Sequence, residues 1–318
     1  MTDSLEELDE VLYEPSEEFV EQSNVRAFME RHDIETFEEL HERSVSEVEG
    51  QAASGLDWFW DEVVEYLDLD FYEDYEQVRD ESEGPQFTDW YVGGELNIAH
   101  NVVDRHAAPD SDNRNKVATL WEGEDGEVRE ITYHELHQQT NRVANALEER
   151  GIGIGDTVGL YMPMVPEIVP LLYGCFKAGA IAVPIFSGFG VDATATRIAD
   201  AECSVLFTGD GFYRRGSEIG LKGAADEAIE EAGHVEHTIV YNRFDSEESD
   251  IPWDEERDEW WDDAVGRQSD EYETKSLPSD QESMLLYSSG TTGKPKGIVH
   301  THAGGLVQPA KEIYFSFD

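Results

Sequence analysis

The chain has 318 residues, enough for one large domain or two ordinary ones. Hydrophobic residues make up 39% and aromatic residues 11% of it, a composition that excludes a disordered acidic protein. It carries 72 acidic and 22 basic side chains, a formal net charge of −50, so no basic face is available for nucleic acid. No run of about 18 apolar residues is present, and the start, MTDSLEELDE, lacks the features of a signal peptide. A cytoplasmic protein without a membrane span is therefore expected.

The acidic residues are spread through every segment, and the chain has only seven lysines, none of them before Lys116. An even acidic coat with scarce lysine is typical of a surface that must stay hydrated in concentrated salt. At about 1 M salt the screening length is only about 3 Å, so the self-repulsion of this coat is muted there and returns in dilute buffer. The composition therefore predicts a halophile-type protein.

In chain order, residues 1–83 are predicted to form an acidic helical region, in which LDWFWDEVVEYL (56–67) has the most apolar face. Glycine and proline interrupt the stretch that follows. From residue 117 onward, strands alternate with helices, which indicates crossover units and an α/β domain, residues 84–318, with a parallel sheet and helices on both faces. The predicted strands are 117–123, 156–162, 181–186, 203–208, 237–242 and 283–289. The predicted helices are one capped by Thr132 and Glu135 that stops at Gly151, and 167–179, 192–201 and 223–232. The two cysteines, Cys175 and Cys203, lie in apolar segments and are predicted to be buried, reduced thiols.

The most informative segment is YSSGTTGKPKG, residues 287–297, which follows the last predicted strand. Its small residues allow the backbone to approach a large anion, and its hydroxyl groups can donate to phosphate oxygens. Lys294 and Lys296 add positive charge in a protein that otherwise avoids lysine. The segment therefore predicts a polyphosphate-binding loop, with a flexible Ser/Thr/Gly hairpin as the alternative.

The spacing of this loop differs from that of a P-loop NTPase, G-x-x-x-x-G-K-[ST]. Only two residues separate Gly290 from Gly293, and Pro295 stands where the magnesium-binding hydroxyl residue would be. The apolar run GIVHTH follows, so the loop is predicted to connect two strands.

YSSGTTGKPKG closely resembles the signature loop of the adenylate-forming superfamily, which includes the AMP-forming acyl-CoA synthetases. Other segments resemble the acetyl-CoA synthetase branch in order and spacing, and residues 1–83 resemble, more weakly, the amino-terminal region of that branch. These segments are LNIAHNVVDRH (96–106), TYHEL (132–136), YMPMVPE (161–167), FSGFGVDATATRIADAE (186–202) and IPWDEERDEWWDD (251–263).

The resemblance implies a ligase that joins a carboxylic acid to CoA in two steps. The carboxylate attacks the α-phosphorus of Mg·ATP, giving an acyl-adenylate and pyrophosphate, and the CoA thiol then displaces AMP. Cations and donors around the leaving pyrophosphate lower the barrier, and Lys294 and Thr291 are the expected catalytic residues. The residues expected to hold the ATP phosphates are Ser288, Ser289, Gly290, Thr291, Thr292, Gly293, Lys294 and Lys296.

The resemblance also implies a CoA site. The segment DGFYRRGSEIGLK (210–222) resembles the CoA-phosphate region of the family, and Arg214 falls on its arginine. Arg215 is adjacent and is expected to share the role, because arginine suits phosphate, while Gly188 matches a glycine that lies against CoA. The second arginine of the family, three positions after the first, is replaced by Ser217. A solvated pair of loop arginines is the alternative for Arg214 and Arg215.

The family continues beyond residue 318 through the adenine contacts, the carboxylate that binds Mg²⁺, and a small domain with a catalytic lysine. We therefore expect a truncated product or one half of a split gene, inactive alone, with a complementary carboxy-terminal chain as partner and no metal ligand within residues 1–318. Acetate or another short acid is the expected substrate. A non-catalytic remnant or partner-binding half, and an adenylating enzyme with an acceptor other than CoA, remain the alternatives. The side chains expected to face missing partners are Leu306, Val307, Ile313, Phe315 and Phe317.

Overall fold

The computed structural model describes residues 14–46, 54–288 and 295–317. The described helices are α1 (Glu17–Gln22), α2 (Asn24–Arg31), α3 (Phe37–Val45), α4 (Gly55–Tyr66), α5 (Arg105–Ala107), α6 (Tyr133–Glu149), α7 (Ile168–Ala178), α8 (Val191–Asp200), α9 (Lys222–Ala232), α10 (Trp261–Ala264) and α11 (His302–Ser316). The described strands are β1 (Gln77–Asp80), β2 (Asp89–Val92), β3 (Glu95–Leu96), β4 (Val117–Glu122), β5 (Val128–Thr132), β6 (Thr157–Leu160), β7 (Ile181–Pro184), β8 (Val205–Gly209), β9 (Gly211–Arg214), β10 (Ser217–Gly220), β11 (His237–Tyr241), β12 (Asp258–Trp260), β13 (Leu277–Pro278), β14 (Glu282–Ser288) and β15 (Lys296–Thr301). None of these helices is long and apolar enough to cross a bilayer.

The described residues form two compact units, one that extends to Leu69 and resumes at Val307, and one that comprises Asp70–Leu306. In the first unit, each of α1 to α4 begins after a serine or threonine whose side-chain oxygen accepts a backbone N–H three residues further on. Phe28 of α2 is fully buried at the centre of this unit, where Phe59, Tyr66 and Phe315 pack around it. The predicted helix at 56–67 corresponds to α4, and the described part of the acidic amino-terminal region is helical up to Tyr66, whereas Gln77–Asp80 forms strand β1.

In the second unit, the described strands of the central sheet lie in the order β12-β11-β8-β6-β7-β14-β15. All neighbouring strands are parallel except β14 and β15, which are antiparallel. Side chains of the inner strands, such as Val158, Val205 and Phe207, are fully buried, because a parallel sheet is covered on both of its faces.

Crossovers in this sheet leave in opposite directions. The connection through α7 runs from β6 to its neighbour β7, whereas α9 leads from β8 to β11 on the other side. Since such crossovers are right-handed, α7 covers one face while α8 and α9 cover the other. The point at which the direction changes lies between β6 and β8, and at such a point a crevice opens at the carboxyl ends of the strands. The predicted α/β fold with a largely parallel sheet and helices on both faces is confirmed.

Three local features differ from the predictions. The hairpin β9–β10 and the short strand β12 lie in segments that were not assigned to strands. His302, placed in a strand after the loop, is instead the first residue of α11. Leu306 and Val307 are buried within the described structure, and Phe315 packs on Phe28, so these side chains do not lack partners. The β9–β10 hairpin and β12 depend on pairing between strands, which leaves little local signal in the sequence.

Candidate functional site

The predicted site residues that the structure describes lie at the carboxyl edge of the sheet. Ser288 ends β14, and Gly188 follows β7 by four residues. Arg214 ends β9 in the hairpin that directly follows β8. Because β7, β8 and β14 are parallel members of the central sheet, their carboxyl ends share one edge, which is where α/β proteins bind ligands.

A pocket of about 460 Å³ opens at this edge, at the point where the crossover direction changes. Met164 comes from the loop after β6, and Phe186 from the loop after β7. Arg214 lies on the hairpin after β8, while Trp121 reaches the pocket from the β4–β5 hairpin. Arg214 is therefore the sequence-predicted residue among the described residues that line this pocket.

The β14–β15 hairpin carries the predicted phosphate loop. Ser288 and Lys296 are paired across the two strands, and both are exposed. The hydroxyl of Tyr287 donates to Oδ2 of Asp200 at 2.7 Å, which ties the end of β14 to α8. Burial and this carboxylate raise the pKa of Tyr287 above its ordinary value. The other predicted loop residues, Ser289, Gly290, Thr291, Thr292, Gly293 and Lys294, lie outside the described residues.

Gly188 belongs to the turn between β7 and α8. A Cβ atom on Gly188 would lie 2.4 Å from the ring of Phe186. A glycine thus allows that ring, which lines the pocket and packs edge-on against Phe189 at 5.5 Å between centroids, to lie over the turn. Ser187, its neighbour, also lines the pocket, so Gly188 lies next to the pocket that Arg214 lines.

The β9–β10 hairpin has a two-residue loop, Arg215–Gly216, because Arg214 pairs with Ser217. Both loop residues have positive φ, 52° and 76° respectively, as in the type I′ turns that usually contain Asn-Gly. A non-glycine residue in this conformation costs roughly 1–2 kcal/mol. Arg215 therefore adopts a conformation that a non-glycine residue disfavours, and strained residues of this kind cluster at functional sites.

Arg243 joins the two hairpins that flank the pocket. Its guanidinium lies 5.5 Å from the ring centroid of Trp121 and 5.1 Å from that of Tyr213. It forms ion pairs with Asp125 and, at 3.0 Å, with Glu127. The N–H of Glu127 and then Arg243 lower the pKa of Asp125. The side chain of Arg243 is only 13% exposed, and it connects the β4–β5 turn to the β9–β10 hairpin.

The electrostatic environment distinguishes three of the predicted residues. Nearly every described lysine and arginine side chain donates to a carboxylate, a carbonyl or a side-chain amide or imidazole. Arg214, Arg215 and Lys296 are the exceptions, since the side chain of each has no hydrogen bond, ion pair or ring contact with another described residue. In a chain with a net charge of −50, these three are the described cations whose side chains have no partner among the described residues.

The sequence alone did not predict two residues that line the pocket. Trp121 and Arg243 are 122 positions apart, and neither belongs to a motif that indicates phosphate binding. A weak signal was the acidic turn after Trp121, EGEDGE, which provides the carboxylates for Arg243. Their proximity depends on the tertiary structure alone.

Comparisons with known proteins identify the family of the chain. A family model described as AMP-binding enzyme matches residues 105–317, and one described as acetyl-coenzyme A synthetase N-terminus matches residues 37–102. The chain belongs to the AMP-binding enzyme family. The resemblance that the phosphate loop suggested is thereby confirmed.

Curated relatives are named acetyl-coenzyme A synthetase. The protein from Methanothrix thermoacetophila is 40% identical over 94% of this chain, and the one from Streptomyces coelicolor is 45% identical over 74%. The solved structure of acetoacetyl-CoA synthetase from Streptomyces lividans superposes with a TM-score of 0.83 at 27% identity and covers 96% of the chain. The chain spans 43% and 35% of those two curated relatives and 45% of the solved chain, which is less than half of each.

Proposed function

We propose that this chain carries the phosphate-binding and CoA-binding elements of an AMP-forming acid:CoA ligase. The reaction activates a carboxylate with ATP to an acyl-adenylate and transfers the acyl group to CoA. Acetate or another short acid is the proposed substrate, since the curated relatives are named for acetyl-CoA and the solved relative for acetoacetyl-CoA. Mg²⁺ would accompany ATP as its counter-ion.

One observation carries this proposal, namely the three cations that have no described partner. A surface cation surrounded by carboxylates readily forms an ion pair, and each such pair stabilises weakly. Lys296 borders the signature loop, while Arg214 lines the pocket and Arg215 occupies the strained turn beside it. Polyphosphate and the phosphates of CoA are anions that these residues fit, because arginine binds phosphate through two parallel hydrogen bonds and lysine through its charge.

The proposed roles follow from the chemistry of each step. Charge that accumulates on the leaving pyrophosphate is stabilised by donors and cations that are already in place. We assign this role to the segment between β14 and β15, with Lys294 and Thr291 as the proposed catalytic residues. Gly188, Arg214 and Arg215 are proposed to hold CoA. The residues proposed to hold the β- and γ-phosphates are Ser288, Ser289, Gly290, Thr291, Thr292, Gly293, Lys294 and Lys296.

The setting of the reaction is also a proposal. We propose a halophilic, cytoplasmic protein on the basis of its even acidic surface, and a division into a helical amino-terminal region, 1–83, and part of an adenylate-forming domain, 84–318. The acidic coat predicts that the fold tightens as salt rises, because screening over about 3 Å at 1 M salt suppresses self-repulsion.

Acetate-dependent ATP–pyrophosphate exchange in about 2 M KCl tests the proposal. The chain is assayed by itself and mixed with a polypeptide that covers the remaining length of its relatives. Exchange in the mixture that is lost on Lys296→Met but kept on Lys311→Met would support an acetate ligase. Absence of exchange in a demonstrably folded mixture would contradict it and favour a non-catalytic remnant or another acid.

A further inference from the structure

Asp210 directly follows β8, and the residue is only 2% exposed. Its Oδ1 accepts the N–H groups of Gly211 and Arg243, both at 2.8 Å. Its Oδ2 accepts the N–H of Phe244 at 3.0 Å and the hydroxyl of Ser246 at 2.8 Å. No described lysine or arginine forms an ion pair with it, so the buried charge is held by four neutral donors.

The main chain of Asp210 fastens the same region. Its carbonyl oxygen accepts the N–H of Leu221 at 2.9 Å, and its own N–H donates to the carbonyl of Tyr241 at 3.0 Å. Asp210 therefore connects both ends of the β9–β10 hairpin, at Gly211 and at Leu221, to the end of β11. A single residue fixes where the hairpin leaves the sheet and where it returns.

Two paths lead from this carboxylate to Arg214. One runs along the hairpin, from the N–H of Gly211 to the end of β9. The other runs through Arg243, whose backbone is held by Asp210 and whose guanidinium stacks on Tyr213, the residue before Arg214. Burying a charge costs several kcal/mol, and an apolar side chain would fill the space without that cost. Four converging bonds to one carboxylate instead favour a unique geometry for the hairpin.

We propose that Asp210 is a positioning residue for CoA binding. Asp210 holds the β9–β10 hairpin and the backbone of Arg243 so that Arg214 faces the pocket. This inference rests on the proposed role of Arg214 in CoA binding. Asp210 itself touches no substrate. Its contribution is the fixed orientation of a cation on a short hairpin that would otherwise pivot about its two ends.

Asp210→Asn tests this inference, because an amide places an NH₂ group where the N–H of Phe244 now donates, and a donor then faces a donor. The full chain in about 2 M KCl is examined by amide hydrogen exchange and by calorimetric binding of CoA and of ATP. We expect the amides of residues 211–220 to exchange about tenfold faster and the Kd for CoA to rise about tenfold, with ATP binding unchanged. Asp156→Asn is the control, since its carboxylate accepts the N–H of Gly153 at 2.8 Å at the opposite edge of the sheet.

A double variant separates positioning from general destabilisation. If Asp210 acts through Arg214, then Asp210→Asn combined with Arg214→Ala binds CoA no more weakly than Arg214→Ala alone. Three outcomes would overturn the inference and leave the proposed function standing. They are additive losses of CoA affinity in the double variant, unchanged amide exchange in the hairpin, and wild-type CoA binding by Asp210→Asn while Arg214→Ala is impaired. Wild-type CoA binding by Arg214→Ala would overturn the proposed CoA site, and the positioning role with it.

Discussion

Acid should destabilise this protein through the imidazole of His302, the first residue of α11. The residue is 0% exposed, and its Nδ1 accepts the N–H of Ile98 at 3.3 Å. Its Nε2 has no hydrogen-bond partner among the described residues, and its ring packs edge-on against Phe176 at 5.8 Å. Burial lowers the pKa of His302 from its ordinary value of 6.5 to about 4.

The sign follows from which state binds the proton. Between pH 6.5 and about 4 the unfolded chain protonates this histidine while the folded chain does not, so the free energy of unfolding falls as the pH is lowered. One proton corresponds to about 1.4 kcal/mol for each pH unit, so His302 contributes about 3 kcal/mol at neutral pH that is lost by about pH 4.

The assay is urea unfolding in about 1 M KCl at several pH values, for the natural chain and for His302→Asn. Asparagine keeps an acceptor near the position of Nδ1 but does not titrate, and both proteins share the response of every carboxylate. The variant should lose less stability than the natural chain on acidification, with a difference of about 3 kcal/mol between pH 7 and pH 4. A difference between the two proteins that is independent of pH would refute the reasoning.

Three further predictions concern other described residues. Arg215→Asn should raise the free energy of unfolding by up to about 1 kcal/mol, because asparagine tolerates positive φ, yet weaken CoA binding about fivefold by calorimetry; unchanged CoA binding would favour a solvated loop arginine. Asp104→Asn should lower the free energy of unfolding in urea by about 3 kcal/mol or more, because it removes the carboxylate that pairs with the fully buried amine of Lys177. Adding Lys177→Met should recover part of that loss, and no recovery would contradict this. Burial raises the pKa of the Cys175 and Cys203 thiols to about 12, so a thiol reagent at about pH 8 should label neither in the native protein and both after denaturation; rapid labelling of native protein would contradict it.

The alternation of strands and helices was predictable because its signals are local. Both halves of the predicted capping box are present at the start of α6, where Thr132 and Glu135 satisfy each other's backbone N–H groups. Gly151 has the positive φ, 76°, of a residue that follows a helix end. The helix predicted at 167–179 is observed as α7, within one residue at each end.

Pairing between distant segments was not predictable in the same way. The three residues of β12 lie in an acidic, tryptophan-rich stretch and become a strand only by pairing with β11. The β9–β10 hairpin turns on Arg215–Gly216 instead of the usual Asn-Gly, so the strongest hairpin signal was missing. Both elements depend on neighbours that the local sequence does not specify.

Some residues of the candidate site were predictable from local motifs, and others were not. The phosphate loop and Arg214 belong to continuous motifs, so residue types and spacing were sufficient to propose them. The contacts of Arg243 with Trp121 and Tyr213 bring three separate segments together, and no single motif contains all of them. That the side chains of Lys296, Arg214 and Arg215 have no partner among the described residues could be recognised only from the tertiary structure.

Equilibrium binding of ATP and of CoA in about 1 M KCl tests the central claim most directly. Lys296→Met should weaken ATP binding about tenfold and Arg214→Ala should weaken CoA binding about tenfold. The controls, Lys311→Met and Arg267→Ala, remove cations that are already paired with Glu312 and Asp263 and should change neither. Selective losses would establish that Lys296 and Arg214 hold phosphate. Equal binding by all four variants would contradict the claim.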